Sequence, residues 1–116
     1  HETSEDFRDF QFVIKKIQDM PYLPDVFICG NDWTAIQLIY ALQALGYQIP
    51  RDVSIVGFDG IPASERIVPS LTTIYTPKKY LGIAAARQML ERIQYPDSPK
   101  VYSEYSTQLF IRDSTK

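Results

Sequence analysis

The sequence predicts an α/β protein, a Rossmann-like parallel sheet with flanking helices, and three features predict it. Two short runs, VFICG (residues 26–30) and VSIVGF (53–58), are apolar without polar alternation, the pattern of strands covered on both faces as in parallel sheets. Between them, Trp33 to Leu45 repeats apolar residues at helical spacing and stops at Gly46, a natural left-handed terminus. Strand, helix and strand at this spacing make a βαβ unit, whose crossover is right-handed almost without exception.

The elements follow in order. Thr3 or Ser4 can cap a first helix with Asp6 near its positive end, and Phe7, Phe10, Val13, Ile14 and Ile17 share one face. That helix stops before PYLPD (21–25). The helix after the first strand carries Ala35, Leu38, Ile39, Leu42 and Leu45 on its core face. After the second strand, DGIPASERIVPS (59–70) reads as a loop leading to a short strand, Leu71 to Tyr75. Thr76 and Pro77 open a helix that runs through Tyr95, since proline at the first helical position sacrifices no hydrogen bond. Its inward face is Gly82, Ile83, Ala86, Met89, Leu90 and Ile93. Beyond PDSPK (96–100) a last strand is expected from about Val101 to Arg112.

A chain of 116 residues is one ordinary domain or a piece of something larger, and its opening on His1 reads as a cut piece. The formal net charge of −2 gives no reason to expect a nucleic-acid backbone as partner of this stretch. Cys29 is the single cysteine, so no intrachain disulfide can form, and its apolar surroundings suit a buried thiol in a reducing compartment. No charged residue stands between Asp32 and Arg51, but Gln37, Gln43, Gly46 and Gln48 interrupt a stretch too short to span a bilayer, so no membrane partner is expected. Enzyme chemistry finds no footing. The only histidine is His1, neither G-x-G-x-x-G nor a P-loop occurs, and no nucleophile–base pair can be composed around Cys29. No metal or cofactor is implied.

The polar residues that invite a ligand stand where the strands end. Ligands of open parallel sheets lie beyond the carboxyl ends of the strands. There the first strand runs into Asn31 and Asp32 and the second into Asp59. The plainer readings are a helix N-cap for the Asn-Asp pair and a turn before Gly60 for Asp59. Together on one rim, however, an amide with donor and acceptor and a carboxylate able to accept from vicinal hydroxyls suit a polyol. Trp33 or Phe58 can cover an apolar sugar face, or serve packing or an interface.

The run PDVFICGNDWTAIQLIYALQALGYQIPRDVSIVGFDGIPASERIVPSLTTIYTP, followed by a helix and FIRDST, resembles the effector-binding core of the lactose/galactose (LacI/GalR) repressor family of bacterial transcription regulators. The most specific parts are Asn31-Asp32, IPRDVSIVGFD (49–59), P-x-L-T-T-I (69–74) and R-x-S-T (112–115). The resemblance implies part of a type I periplasmic-binding-protein-like fold, with two lobes joined by three chain crossovers, a small molecule in the cleft, and no catalysis. It carries over Asn31 and Asp59 as contacts to an effector that is often a sugar or sugar derivative, and it places the third crossover near Tyr75 to Pro77. Residues 1–76 then belong to the C-terminal lobe, 77–99 to the N-terminal lobe, and 100–116 form a return strand and tail. The sequence departs from the family at Tyr75 and Thr76, where a glutamine is frequent, and at Gln37, where glycine is usual. In the family a separate helix-turn-helix head reads DNA; nothing in this sequence matches one.

The resemblance also implies a cytoplasmic homodimer. Trp33, Ile36, Tyr40 and Ala44 form an uncharged stripe opposite the core face, and Ile67 joins it in the resembling repressors. If the crossover is correct, the apolar face of the 77–95 helix lacks its parent sheet and is expected to pack on the chain's own sheet, on another copy or on a remnant of the parent. That helix left isolated in water would speak against the crossover. The alternative of a different class is a solute-binding protein for sugar uptake, which shares the fold and a similar GFDG turn (57–60). The P-x-L-T-T-I and IRDST runs favour the regulator.

Overall fold

The computed structural model describes residues 10–116; the expected caps Thr3 and Ser4, with Asp6 and Phe7, lie outside the described residues. In chain order the elements are α1 (Phe10–Gln18), β1 (Val26–Ile28), α2 (Asp32–Ala44), β2 (Ser54–Asp59), α3 (Pro62–Arg66), β3 (Thr72–Tyr75), α4 (Lys78–Gln94) and β4 (Gln108–Phe110). The sheet runs β1-β2-β3-β4, and both the β1/β2 and β2/β3 pairs are parallel. The chain divides into two compact units: one ends at Tyr75 and takes back Leu109–Lys116, and the other is Thr76–Gln108.

The first unit holds the core. Val13 and Ile17 of α1 meet Ala35, Ile36, Ile39, Ala41 and Leu42 of α2, together with Val53, Ile55 and Leu71. Burying each larger side chain is worth ~1.5–3 kcal/mol. Helix α2 ends as its sequence implies. Gly46 has φ +90°, its N–H donates to Gln43 C=O at 3.0 Å, and the N–H of Tyr47 reaches Leu42 C=O at 3.0 Å, which satisfies two carbonyls that the helix end would otherwise orphan.

Four expectations need correction. Ile36 is only 7% exposed and belongs to the core, because the inward face of α2 is wide enough to take in positions 35, 36, 39 and 42 together. Strand β1 is not covered on both faces: Val26 and Ile28 are exposed while Phe27 packs on the core. An unbroken apolar run states what a strand can tolerate, not what the chain lays over it. The stretch 59–70 holds a short helix, α3, started by Pro62 at a helix N-terminal position. The final strand is three residues long, with 101–107 outside regular structure.

In the second unit, α4 has no buried residue. Its side chains hold the segment that follows: Arg92 Nη1 donates to Ser98 C=O at 2.7 Å and Gln88 Nε2 to Ser103 Oγ at 2.9 Å. Met89, Leu90 and Ile93 stay more than three-fifths exposed.

Candidate functional site

The parallel register points the carboxyl ends of β1, β2 and β3 the same way. Ile28 pairs with Val56, and the ladder continues through the Cys29 N–H to Val56 C=O bond of 2.8 Å. Asp59 is paired with Tyr75 at the ends of β2 and β3, and Asn31 follows β1 as the residue that opens α2. Asn31, Asp59 and Tyr75 thus stand at or just beyond the carboxyl ends of β1, β2 and β3, the end of a parallel sheet where ligands bind.

Asn31 is the N-cap of α2. Its backbone is extended and its Oδ1 accepts from the Thr34 N–H at 2.8 Å, as the plainer reading has it. Capping engages the carbonyl oxygen; the Nδ2 amide is the donor this exposed side chain can present to a ligand. Asp59 is half-buried with φ +112°, a backbone conformation few residues other than glycine adopt. Gly60 follows at φ +70°, and a Cβ there would approach Tyr75 to 2.8 Å, so only glycine allows the turn to lie against that ring. Tyr75 in turn stacks on Phe110, centroids 5.2 Å apart. Phe58 and Trp33 are both exposed, Trp33 at 64%.

Asp32 departs from its expected place. Considered with Asn31 as a rim residue, it is fully buried. Its Oδ1 accepts from Thr73 Oγ1 at 2.6 Å and its Oδ2 from the Ile61 N–H at 2.8 Å. Gly57 exists to admit it: a Cβ on that glycine would collide with Asp32 Oδ1 and stand 2.8 Å from Leu71 Cδ2. A glycine inside an otherwise apolar strand marks the close approach of another group without saying which group it is.

Cys29 is half-buried, and burial first, then the nearby Asp32 carboxylate, push its thiol up to about 11. It is protonated at neutral pH and chemically quiet. A cavity of about 970 Å³ lies beside it, between α1, the end of β1 and the first turns of α2, with Phe12, Met20, Ile28, Trp33 and Leu38 among its walls. Among the described residues no group of three or more His, Cys, Asp or Glu could hold a metal ion, and no helix is long and apolar enough to cross a membrane.

Opposite the rim, where β2 and β3 begin, the C-terminal R-x-S-T run is built in. Ser114 is fully buried; its Oγ donates to Ile55 C=O at 2.6 Å and accepts from the Thr72 N–H at 2.8 Å. Thr72 Oγ1 accepts from the Arg112 N–H at 2.8 Å and shares a hydrogen bond with Thr115 Oγ1. The Arg112 guanidinium donates to Ser64 Oγ and Leu71 C=O. The two motifs at 69–74 and 112–115 are thus one structural unit.

Residues 2–115 match the periplasmic binding protein-like domain family. The chain belongs to that family. It is 39% identical over 101 residues to the HTH-type transcriptional repressor PurR of Vibrio vulnificus, covering 87% of this chain but 30% of that relative. Two solved LacI family transcriptional regulators, both with bound ribose, share the fold. The one from Enterococcus faecium has 33% identity and a TM-score of 0.80, over 91% of this chain and 38% of its own. The one from Enterococcus faecalis has 32% identity and a TM-score of 0.85, over 98% and 42%. The fold is the α/β architecture of the periplasmic-binding-protein-like domains, and the likeness is to the C-terminal part of a LacI/GalR effector-binding domain.

Of the expected interface residues, Trp33 and Tyr40 are exposed on α2, whereas Ile36 is in the core and Ile67 is half-buried against it. The stripe is narrower than the four positions 33, 36, 40 and 44 imply, since Ile36 leaves it for the core.

Proposed function

We propose that this chain senses a small carbohydrate for a bacterial transcription regulator, binding it at the rim of Asn31 and Asp59 in a cleft completed by the rest of the effector-binding domain. The observation that supports the reading is that Asn31 follows β1 and Asp59 ends β2, its parallel neighbour, at the same end of the sheet. A donor amide and an acceptor carboxylate at that end suit neighbouring hydroxyls, and Trp33 and Phe58 offer apolar faces to a sugar ring. Similar regulators hold ribose, which makes ribose the first probe. The unit ending at Tyr75 is part of the C-terminal lobe and α4 belongs with the other lobe. Binding shifts the population of lobe arrangements, and a separate head, absent from this sequence, converts the shift into operator affinity. The regulator is a cytoplasmic homodimer joined in part through Trp33 and Tyr40.

Titration calorimetry of the intact regulator with ribose and a panel of pentoses and hexoses tests the reading. Saturable one-to-one binding of one sugar per subunit supports it; no heat with any sugar, alongside saturable binding of a non-carbohydrate metabolite, removes the sugar.

A further inference from the structure

We propose that Asp32 is the positioning residue of the rim: without touching the effector, it holds the Asp59–Gly60 turn in its strained, binding-competent form. The inference rests on the reading of the rim as the effector site and concerns how that site is kept in shape. Asp59 at φ +112° is a conformation that persists only where the surroundings impose it. Two constraints impose it here. Gly60 lies against the Tyr75 ring, and two residues after Asp59 the Ile61 N–H is fixed to Asp32 Oδ2 at 2.8 Å. The other carboxylate oxygen is locked by Thr73 Oγ1 at 2.6 Å, one residue before the Ile74 and Tyr75 end of β3.

A single buried carboxylate therefore ties the start of α2, next to Asn31, to the turn that presents Asp59 and to the neighbouring strand. Carboxylate geometry suits this work, because two acceptor oxygens on one rigid plane fix two donors relative to each other. Gly57 supplies the room. Removing the carboxylate leaves the Ile61 N–H without its tether and lets Asp59 relax to negative φ, carrying its side chain away from the end of β2.

Four forms of the intact regulator separate positioning from plain destabilisation: wild type, Asp32→Ala, Asp32→Asn and Thr73→Val. Asparagine can accept from Ile61 N–H with Oδ1 and donate to Thr73 Oγ1 with Nδ2, so it is the conservative rescue. Thr73→Val lowers the Tm but leaves the Ile61 tether. In Asp32→Ala the Ile61 amide should exchange with solvent about tenfold or more faster than in wild type and ribose affinity should fall about tenfold or more, with both mostly restored by asparagine and both near wild type in Thr73→Val. If Asp32→Ala does not fold, Asp32→Ser, whose side chain stops short of Ile61, takes its place. Ribose affinity unchanged in the alanine or serine form, or lost equally in Thr73→Val, overturns the proposal. Should wild type not bind ribose, the sugar reading fails at that point, while Ile61 exchange and the Asp59 three-bond couplings that report φ still decide whether Asp32 holds the turn.

Discussion

The backbone N–H of Thr72 donates to the hydroxyl of Ser114, 42 residues away in sequence, across 2.8 Å in the buried interior. The same hydroxyl donates to Ile55 C=O, so one serine from the C-terminal tail bridges the beginnings of β2 and β3. Ser114→Ala leaves a buried N–H unpaired and should cost about 1–3 kcal/mol. At ~4–8 °C per kcal/mol for a domain of this size, thermal unfolding followed by circular dichroism will show the loss as a drop of several degrees. Ligand affinity should not follow it, because the tail lies at the opposite end of the strands from the rim.

Gly57→Ala is expected to destabilise by about 1–3 kcal/mol through overpacking, since the new methyl meets the Asp32 carboxylate and Leu71 in a closed interior. Denaturant unfolding gives the number. Gly82→Ala, with nothing near its Cβ and a mid-helix position, should instead be neutral or stabilise by up to about 1 kcal/mol.

The order of the strands and helices was legible in the sequence because apolar runs and the Gly46 terminus report local physics. So was the position of Asn31 and Asp59 where strands give out, since each follows an apolar run. The burial of Asp32 was not. A polar residue after a strand looks the same whether it faces solvent or is received by Gly57 and Thr73, and only tertiary contacts decide. Ile36 was misplaced for a related reason: a helical wheel gives directions but not the width of the surface that a sheet covers. The exposure of β1 and α4 lay beyond any local pattern, because an apolar face records a need for cover and not its source.

Cys29 should make stability fall at alkaline pH. Its folded pKa of about 11 is above the ordinary value of 9.0, so the folded state keeps the proton that the unfolded chain releases. The contribution is complete below pH 9 and is lost as pH rises from there through about 11. Cys29→Ala should flatten the stability profile in that window, and at pH 8 the native thiol should react with a disulfide reagent far more slowly than in denaturant.

The homodimer proposed through α2 predicts that Tyr40→Glu, alone or with Trp33→Glu, yields monomers in multi-angle light scattering of the intact regulator. Both side chains are exposed in this chain, so the fold should survive the charge. A dimer that persists at the same concentration places the contact elsewhere.

The central claim is that Asn31 and Asp59 hold a sugar between them, and calorimetry of Asp59→Ala with the sugar that wild type binds tests it most directly. Loss of a charged acceptor leaves sugar hydroxyls unpaired and should weaken binding by about 1–3 kcal/mol, roughly tenfold or more, while the melting temperature of the unliganded protein is held or falls little. Affinity equal to wild type in a folded Asp59→Ala protein would contradict the account and reduce Asp59 to a turn residue.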